Sequence, residues 1–324
     1  MARPSSPTVL DTAHSCEDYT IGWICTQAKE QTAAITMLDE IHKGTTYKQN
    51  KDPNTYNLGS IEQHNVVIAC LSFDHSSSTV ATIAVWMTTT FPAIRLCLLV
   101  GLGSGIPPKV RLGDVVIGVP YDGLPGVVEC QRSETEGYRK TGEMGRPPSI
   151  LLSALTKLQS IHEIDGSKIP KYLAKMGKNE RLASKYLVSD ALQDPLLVSG
   201  ATAPGVHGQS TKLELRETEI HYGLIANTSI QIRDKVTREN FGSSLGNHRL
   251  LCIYTEAPGL MTNFPCIVIR GICDYADEHR DNYKGWQEPA AAVSAAFAKE
   301  VLSVLPEAEV ASLSTIKSLG ASVF

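Results

Sequence analysis

The chain has 324 residues, with 30 Lys and Arg against 34 Asp and Glu, a formal net charge of -4, 42% hydrophobic residues and 6% aromatics. This near-average composition excludes a disordered, collagen-like or coiled-coil chain, and the near-neutral balance gives no general attraction to nucleic acid or an anionic membrane. The length allows two domains or one large α/β domain.

Residues 1 to about 17 are rich in Pro and Ser and are expected to be disordered. Met1 to Pro7 lacks the apolar core of a signal peptide, and no apolar stretch reaches the ~18 residues of a bilayer span. Eight cysteines are scattered singly with no CxxC pair, so a zinc ribbon is not expected, and several lie in apolar runs as small hydrophobes. The expectation is a reduced, cytoplasmic protein.

Tyr19 to Cys25 reads as a buried strand, and Lys29 to Ile41 as a helix with Ala34, Met37, Leu38 and Ile41 on one face. Lys43 to Asn54 is a polar loop, and Tyr56 to Ile61 and Asn65 to Ser72 form a hairpin around Glu62-Gln63-His64. Val80 to Met87 predicts a helix that ends before Pro92. Ile94 to Val100 is continuously apolar, the mark of a central strand covered on both faces, and runs into a glycine-rich turn, Gly101-Leu102-Gly103-Ser104-Gly105.

Leu112-Gly113-Asp114 turns into a strand, Val115 to Val119. The stretch 121–215 has weak periodicity and reads as an insertion, with helices at Ser149 to Ile161 and Asn179 to Leu187. Strands follow at His221 to Ala226, Leu250 to Tyr254 and Cys266 to Ile272. A long Ala-rich helix, about Glu288 to Leu305, closes a domain spanning 18–306, and 307–324 is a tail that reads as a loose helix. This alternation predicts a three-layer α/β domain with a mixed central sheet.

Ligands of open α/β sheets bind beyond the carboxyl ends of strands. Glu30, Glu256 and Asp274 stand at or just after three such ends, and the glycine run stands at a fourth. Carboxylates there can hold sugar hydroxyls, activate water and donate protons. Each also has a structural alternative: a first-turn helix charge for Glu30, an ion pair for Glu256, a cap or a partner of Arg270 for Asp274. The glycine run is no Walker loop, since no Gly-Lys-Ser/Thr follows.

Ile21-Gly22-Trp23-Ile24-Cys25, the glycine run with Leu112-Gly113-Asp114, Glu256-Ala257-Pro258-Gly259 and Arg270-Gly271-Ile272-Cys273-Asp274-Tyr275-Ala276-Asp277 resemble the nucleoside phosphorylase/nucleosidase superfamily. The likeness is greater to the purine-nucleoside-phosphorylase-like domain of fungi, and a stand-alone member is expected. The resemblance implies one α/β domain with a twisted, partly closed mixed sheet flanked by helices, cleaving a purine N-glycosidic bond without metal or cofactor. It makes Asp274 the acid that protonates purine N7, Glu256 the ligand of the ribose hydroxyls, and Glu30 the base for the attacking water. Cys273 would steady Asp274, and Thr255 would lie beneath the ribose in place of a usual Met.

Positions that hold an Arg and a Ser in the bacterial phosphorylases are Leu99 and Leu102 here, and neither side chain binds an oxyanion. The expected nucleophile is therefore water. Phosphorolysis is the alternative, with Gly101, Gly103 and Ser104 as weak phosphate ligands and Lys29 and Arg111 in support. A catalytically degenerate signalling or interaction module is the third reading, favoured by the unusual segment Phe73 to Ser78. Asn227 and Ile230 are candidate base contacts, and His279, Tyr283 and Trp286 mark a lid over 277–286, with Trp286 also a candidate packing anchor. Arg132, Arg139, Lys140 and Arg146 make the insertion a candidate reader of a 5′-phosphate. The expected partners are a purine nucleoside or nucleotide and further copies of the chain, not nucleic acid or membrane.

Overall fold

The computed structural model describes residues 8–10, 14–43, 51–72, 80–133, 137–189, 192–195, 217–228, 231–245, 250–255 and 264–321. Glu256, Ile230 and Phe73 to Ser78 lie outside these residues. The described strands are β1 (Thr8–Leu10), β2 (Ile21–Cys25), β3 (Glu40–His42), β4 (Tyr56–Ile61), β5 (His64–Cys70), β6 (Leu96–Gly105), β7 (Val115–Gly118), β8 (Val127–Ser133), β9 (Gly137–Glu143), β10 (Ile220–Thr228), β11 (Leu250–Tyr254) and β12 (Cys266–Asp274). They form one mixed sheet in the order β1-β3-β4-β5-β2-β6-β12-β7-β10-β8-β9.

β11 pairs with both β10 and β6, so β6, β12, β7, β10 and β11 make a closed ring within the sheet. This is the twisted, partly closed α/β architecture expected. β2 and β12 are buried along their whole length, as continuous apolar strands covered on both faces must be. Helix α1 (Ala28–Met37) follows β2, and α2 (Val80–Thr90) precedes β6. The insertion carries α3 (Ser149–Asp165), α4 (Ile169–Met176) and α5 (Glu180–Tyr186), and α6 (Lys235–Ser244) follows β10. The closing helix α7 (Gln287–Val304) is buried on nearly every side, as its Ala-rich, all-round apolar sequence requires.

Two glycines set the distance between layers. A Cβ on Gly22 would lie 2.5 Å from Met87 of α2, and one on Gly271 would lie 2.0 Å from the Ala290 carbonyl of α7. The register through Cys97 puts these two glycines on opposite faces of the sheet, with α2 over one and α7 over the other. Since the obstacle at Gly271 is backbone, Gly271→Ala must push α7 away. It is expected to cost about 1–3 kcal/mol, the usual range for overpacking, read as a lower denaturation midpoint.

Five local expectations need correction. The glycine run is no turn: Gly101 to Gly105 continue β6, paired with β12 through Ser104. The first helix ends at Met37 rather than Ile41, because Leu38 turns extended (ψ 141) and the chain re-enters the sheet as β3. Thr8–Leu10, expected to be disordered, pairs in parallel with β3. The insertion contributes the β8–β9 hairpin and α4, which periodicity did not reveal. The tail is docked: Val310 and Ile316 are buried, and Ile316 N donates to the Ile94 carbonyl at 2.9 Å.

Candidate active site

The site begins with an unequal ending of strands. β2 accompanies β6 only as far as Ile24 opposite Leu99, and β11 joins the same edge at Ser104 and Gly105. Between them the peptide groups near Leu102 have no strand on that side. Buried backbone groups need partners, and two side chains supply them. Glu30 Oε1 accepts from Leu102 N at 2.9 Å, and Arg270 Nη1 donates to the Leu102 carbonyl at 3.5 Å.

Glu30 is 3% exposed. Its Oε2 accepts from Thr26 N at 2.7 Å, Thr26 Oγ1 at 3.0 Å and Gln27 N at 3.1 Å. The first turn of α1 is thus a capping box made with Gln27. The structural and the functional expectation for Glu30 meet in one side chain: it caps α1 while its other oxygen faces the gap in the sheet.

Arg270 is the residue that sequence reasoning missed. It is 0% exposed, and its guanidinium carbon lies 3.9 Å from the Tyr254 ring centroid. A Cβ on Gly101 would stand 2.6 Å from Glu30 Oε1 and 2.7 Å from Arg270 Nη1. Gly101 therefore leaves the space in which a buried carboxylate and a buried guanidinium meet. The signal was present in the sequence: an arginine four residues before Asp274 on an otherwise apolar strand.

Asp274 ends β12 opposite Ser104, two residues along β6 from Leu102 or about 7 Å. It is 3% exposed. Oδ1 accepts from Ala276 N at 3.0 Å, and the chain turns back there through Ala276 (φ 51). Oδ2 accepts from Arg280 Nε at 3.2 Å, so the ion-pair partner of Asp274 is Arg280 and not Arg270. The Cys273 thiol points to the same oxygen at 3.9 Å. Burial, then the Asp274 charge, pushes that thiol well above its ordinary range, so it packs as a neutral group.

β11 runs antiparallel to β6, with Cys252 opposite Gly105 and Ile253 opposite Ser104, and so points toward Leu102 and Glu30. Thr255 follows it, its Oγ1 3.5 Å from Thr228 Oγ1. Asn227 is 6% exposed on β10, in register with Tyr254. Ser104 is half-buried, and Gly103 faces Cys252 and the stem of Arg270. Trp286 is 7% exposed, sits over Gly113 and donates Nε1–H to the Gln193 carbonyl at 3.4 Å, the contacts of a packing anchor.

Of the other charges singled out in the sequence, Lys29, Arg111 and Lys140 are engaged elsewhere. Lys29 Nζ bonds Gln287 Oε1 at 2.6 Å and Glu288 Oε1 at 3.0 Å at the start of α7. Arg111 spans Asp114 and Glu219. Those two carboxylates and His221 are close enough to share a cation among the described residues, but the Arg111 guanidinium already fills that role. Arg132, Arg139 and Lys140 lie exposed on the β8–β9 hairpin, where Lys140 pairs with Glu143. Burial and the Glu30 charge push Cys70 up to about 12, so it too is no thiolate.

No family model matches the chain. Among curated proteins, the chain is 37% identical over 301 residues to a nucleotide-binding leucine-rich repeat (NLR)-like protein of Hyaloscypha variabilis. The match covers 89% of this chain and 30% of that protein, so the chain spans less than a third of its relative's length. Among solved structures it is similar to the 5′-methylthioadenosine/S-adenosylhomocysteine nucleosidase of Neisseria meningitidis in complex with methylthio-immucillin-A. The TM-score is 0.53 at 16% identity, covering 87% of this chain and 98% of that one. The Streptococcus pneumoniae nucleosidase in complex with 8-aminoadenine gives 0.53 at 14%, covering 88% and 100%. At such identities the likeness is one of fold.

Proposed function

From a chain with the nucleoside phosphorylase/nucleosidase fold, we infer a purine nucleosidase that hydrolyses the N-glycosidic bond of a purine nucleoside or nucleotide. The observation that carries this reading is the convergence on residues 101–104 of β6. Glu30 and Arg270 both border the space over Gly101, and Asp274 lies opposite Ser104.

Glu30 Oε1 and the Arg270 guanidinium hold a water between an acceptor and a donor. The water oxygen attacks C1′ as the C1′–N9 bond breaks, and one water proton passes to Glu30. The bonding electrons leave with the base, which accepts a proton at N7 from Asp274 and departs neutral. Glu256, which follows the end of β11, takes the ribose hydroxyls and balances charge developing at the sugar. Thr255 and Cys273 border the ribose and the acid, and Asn227 and Ile230 the base. Further copies of the chain complete a cytoplasmic homo-oligomer.

Phosphorolysis is the second reading, and Arg270 favours it, because a buried guanidinium is the group a phosphate needs. The Glu30 carboxylate at the same point opposes it, since desolvating a phosphate beside a buried anion is expensive. Lys29 and Arg111, the other cations considered, are already paired. Incubating the protein with adenosine, guanosine, inosine and their 5′-nucleotides, followed by chromatography, separates the two readings. Free base is expected at equal rates with and without phosphate, with free ribose from the nucleosides and ribose 5-phosphate from the nucleotides. Base release that stops in phosphate-free buffer, with ribose 1-phosphate formed when phosphate is restored, overturns the hydrolytic reading.

A further inference from the structure

Arg280 begins the 3-10 segment Arg280–Trp286 and lies across Asp274. Its side chain is 39% exposed while that of Asp274 is 5% exposed, so the guanidinium stands on the solvent side of the carboxylate. Its Nε occupies Oδ2, and the Ala276 amide occupies Oδ1. Oδ1 is fixed by the turn that ends the strand. Oδ2 is therefore the oxygen that can change partners, and, beside the Cys273 thiol, what it must exchange is the partly exposed Arg280 side chain. The Arg280 charge also has nearby alternatives to Asp274, since Asp281 is exposed beside it, although Lys284 and Arg233 compete for that carboxylate.

We propose that Arg280 is a displaceable latch on Asp274, closing the acid in the empty site and yielding Oδ2 to the purine when substrate enters. This rests on the reading of Asp274 as the acid for N7 and adds a residue that the reaction must move. Arg280 Nε holds Oδ2 and the Ala276 amide holds Oδ1, so no oxygen of Asp274 is open to a purine N7 while the latch is closed. Arg280 must leave before transfer, so it acts through Asp274 and not on the sugar or the nucleophile. The exposure of the Arg280 end makes this feasible, because the departing guanidinium moves into water while the purine takes its place on the buried carboxylate.

The test is Arg280→Ala, alone and in an Asp274→Ala background, with KM and kcat for the preferred nucleoside and calorimetric Kd for its free purine. Without the latch, KM and Kd are expected to fall about two- to fivefold, the scale of a partly exposed ion pair, with the gain in KM rather than kcat. In the Asp274→Ala background the same substitution is expected to leave Kd unchanged. A residue that merely braced the fold would not tighten binding when removed. Weaker purine binding by Arg280→Ala means that Arg280 touches the ligand directly and overturns the latch, as does an equal effect in both backgrounds. A wild type that neither binds a purine nor releases one sinks the nucleosidase reading and the latch together. A wild type that binds purines with an affinity that Arg280→Ala leaves unchanged sinks the latch alone.

Discussion

Asp274→Asn is expected to lower kcat/KM for purine release by about 10²- to 10⁴-fold, the contribution of a positioned general acid, or about 3–5 kcal/mol of transition-state stabilisation. The fold should survive. Asn keeps an oxygen for the Ala276 amide, and the lost Arg280 pair is partly exposed and worth no more than about 1 kcal/mol. The defect should also depend on the leaving group. A purine leaves well only when protonated at N7, whereas a riboside with a nitrophenolate leaving group departs without a proton. Such a substrate should be cleaved by Asp274→Asn at close to the wild-type rate. An equal loss on both substrates would mean that Asp274 positions the sugar or braces the site, and the assignment of the acid would fall.

What the sequence showed depended on whether a feature is local. The buried strands at Ile21 to Cys25 and Cys266 to Ile272, the apolar run before Gly101 and the long helix after Trp286 were legible, because continuous apolar runs and Ala-rich stretches carry their own period. The placement of Glu30 and Asp274 at strand ends followed from the same reading. The glycine run misled, since its composition says turn while its pairing with β12 makes it strand. That pairing is a long-range property, invisible in a window of ten residues. The β8–β9 hairpin was hidden for a related reason: its outward residues Arg132, Arg139 and Lys140 are charged, and its packing partner Phe241 lies about a hundred residues downstream. Arg270 escaped because its meaning depends on register. Set opposite Gly101, its guanidinium borders the same space as the Glu30 carboxylate; read alone, it is a charge on a strand.

Glu30→Gln is expected to damage stability and activity together, and the geometry shows why the two cannot be separated. Oε2 of Glu30 accepts from three donors and Oε1 accepts from a fourth, the Leu102 amide. A glutamine has one acceptor oxygen and an NH2 group. If its oxygen faces Thr26 and Gln27, the NH2 meets the Leu102 amide donor to donor; if it turns round, the NH2 meets three donors at the start of α1. Either rotamer leaves at least one buried N–H unpaired, at a cost of about 1–3 kcal/mol. Hydrolysis should fall by about 10²- to 10⁴-fold as the base is lost. The substitution also leaves the Arg270 guanidinium beside a neutral neighbour. Assayed well below its denaturation midpoint, the variant should therefore be stimulated by added phosphate or formate, which the wild-type carboxylate repels. A variant as stable and as active as the wild type, or one indifferent to those anions, would show that Glu30 and Arg270 do not hold the nucleophile between them.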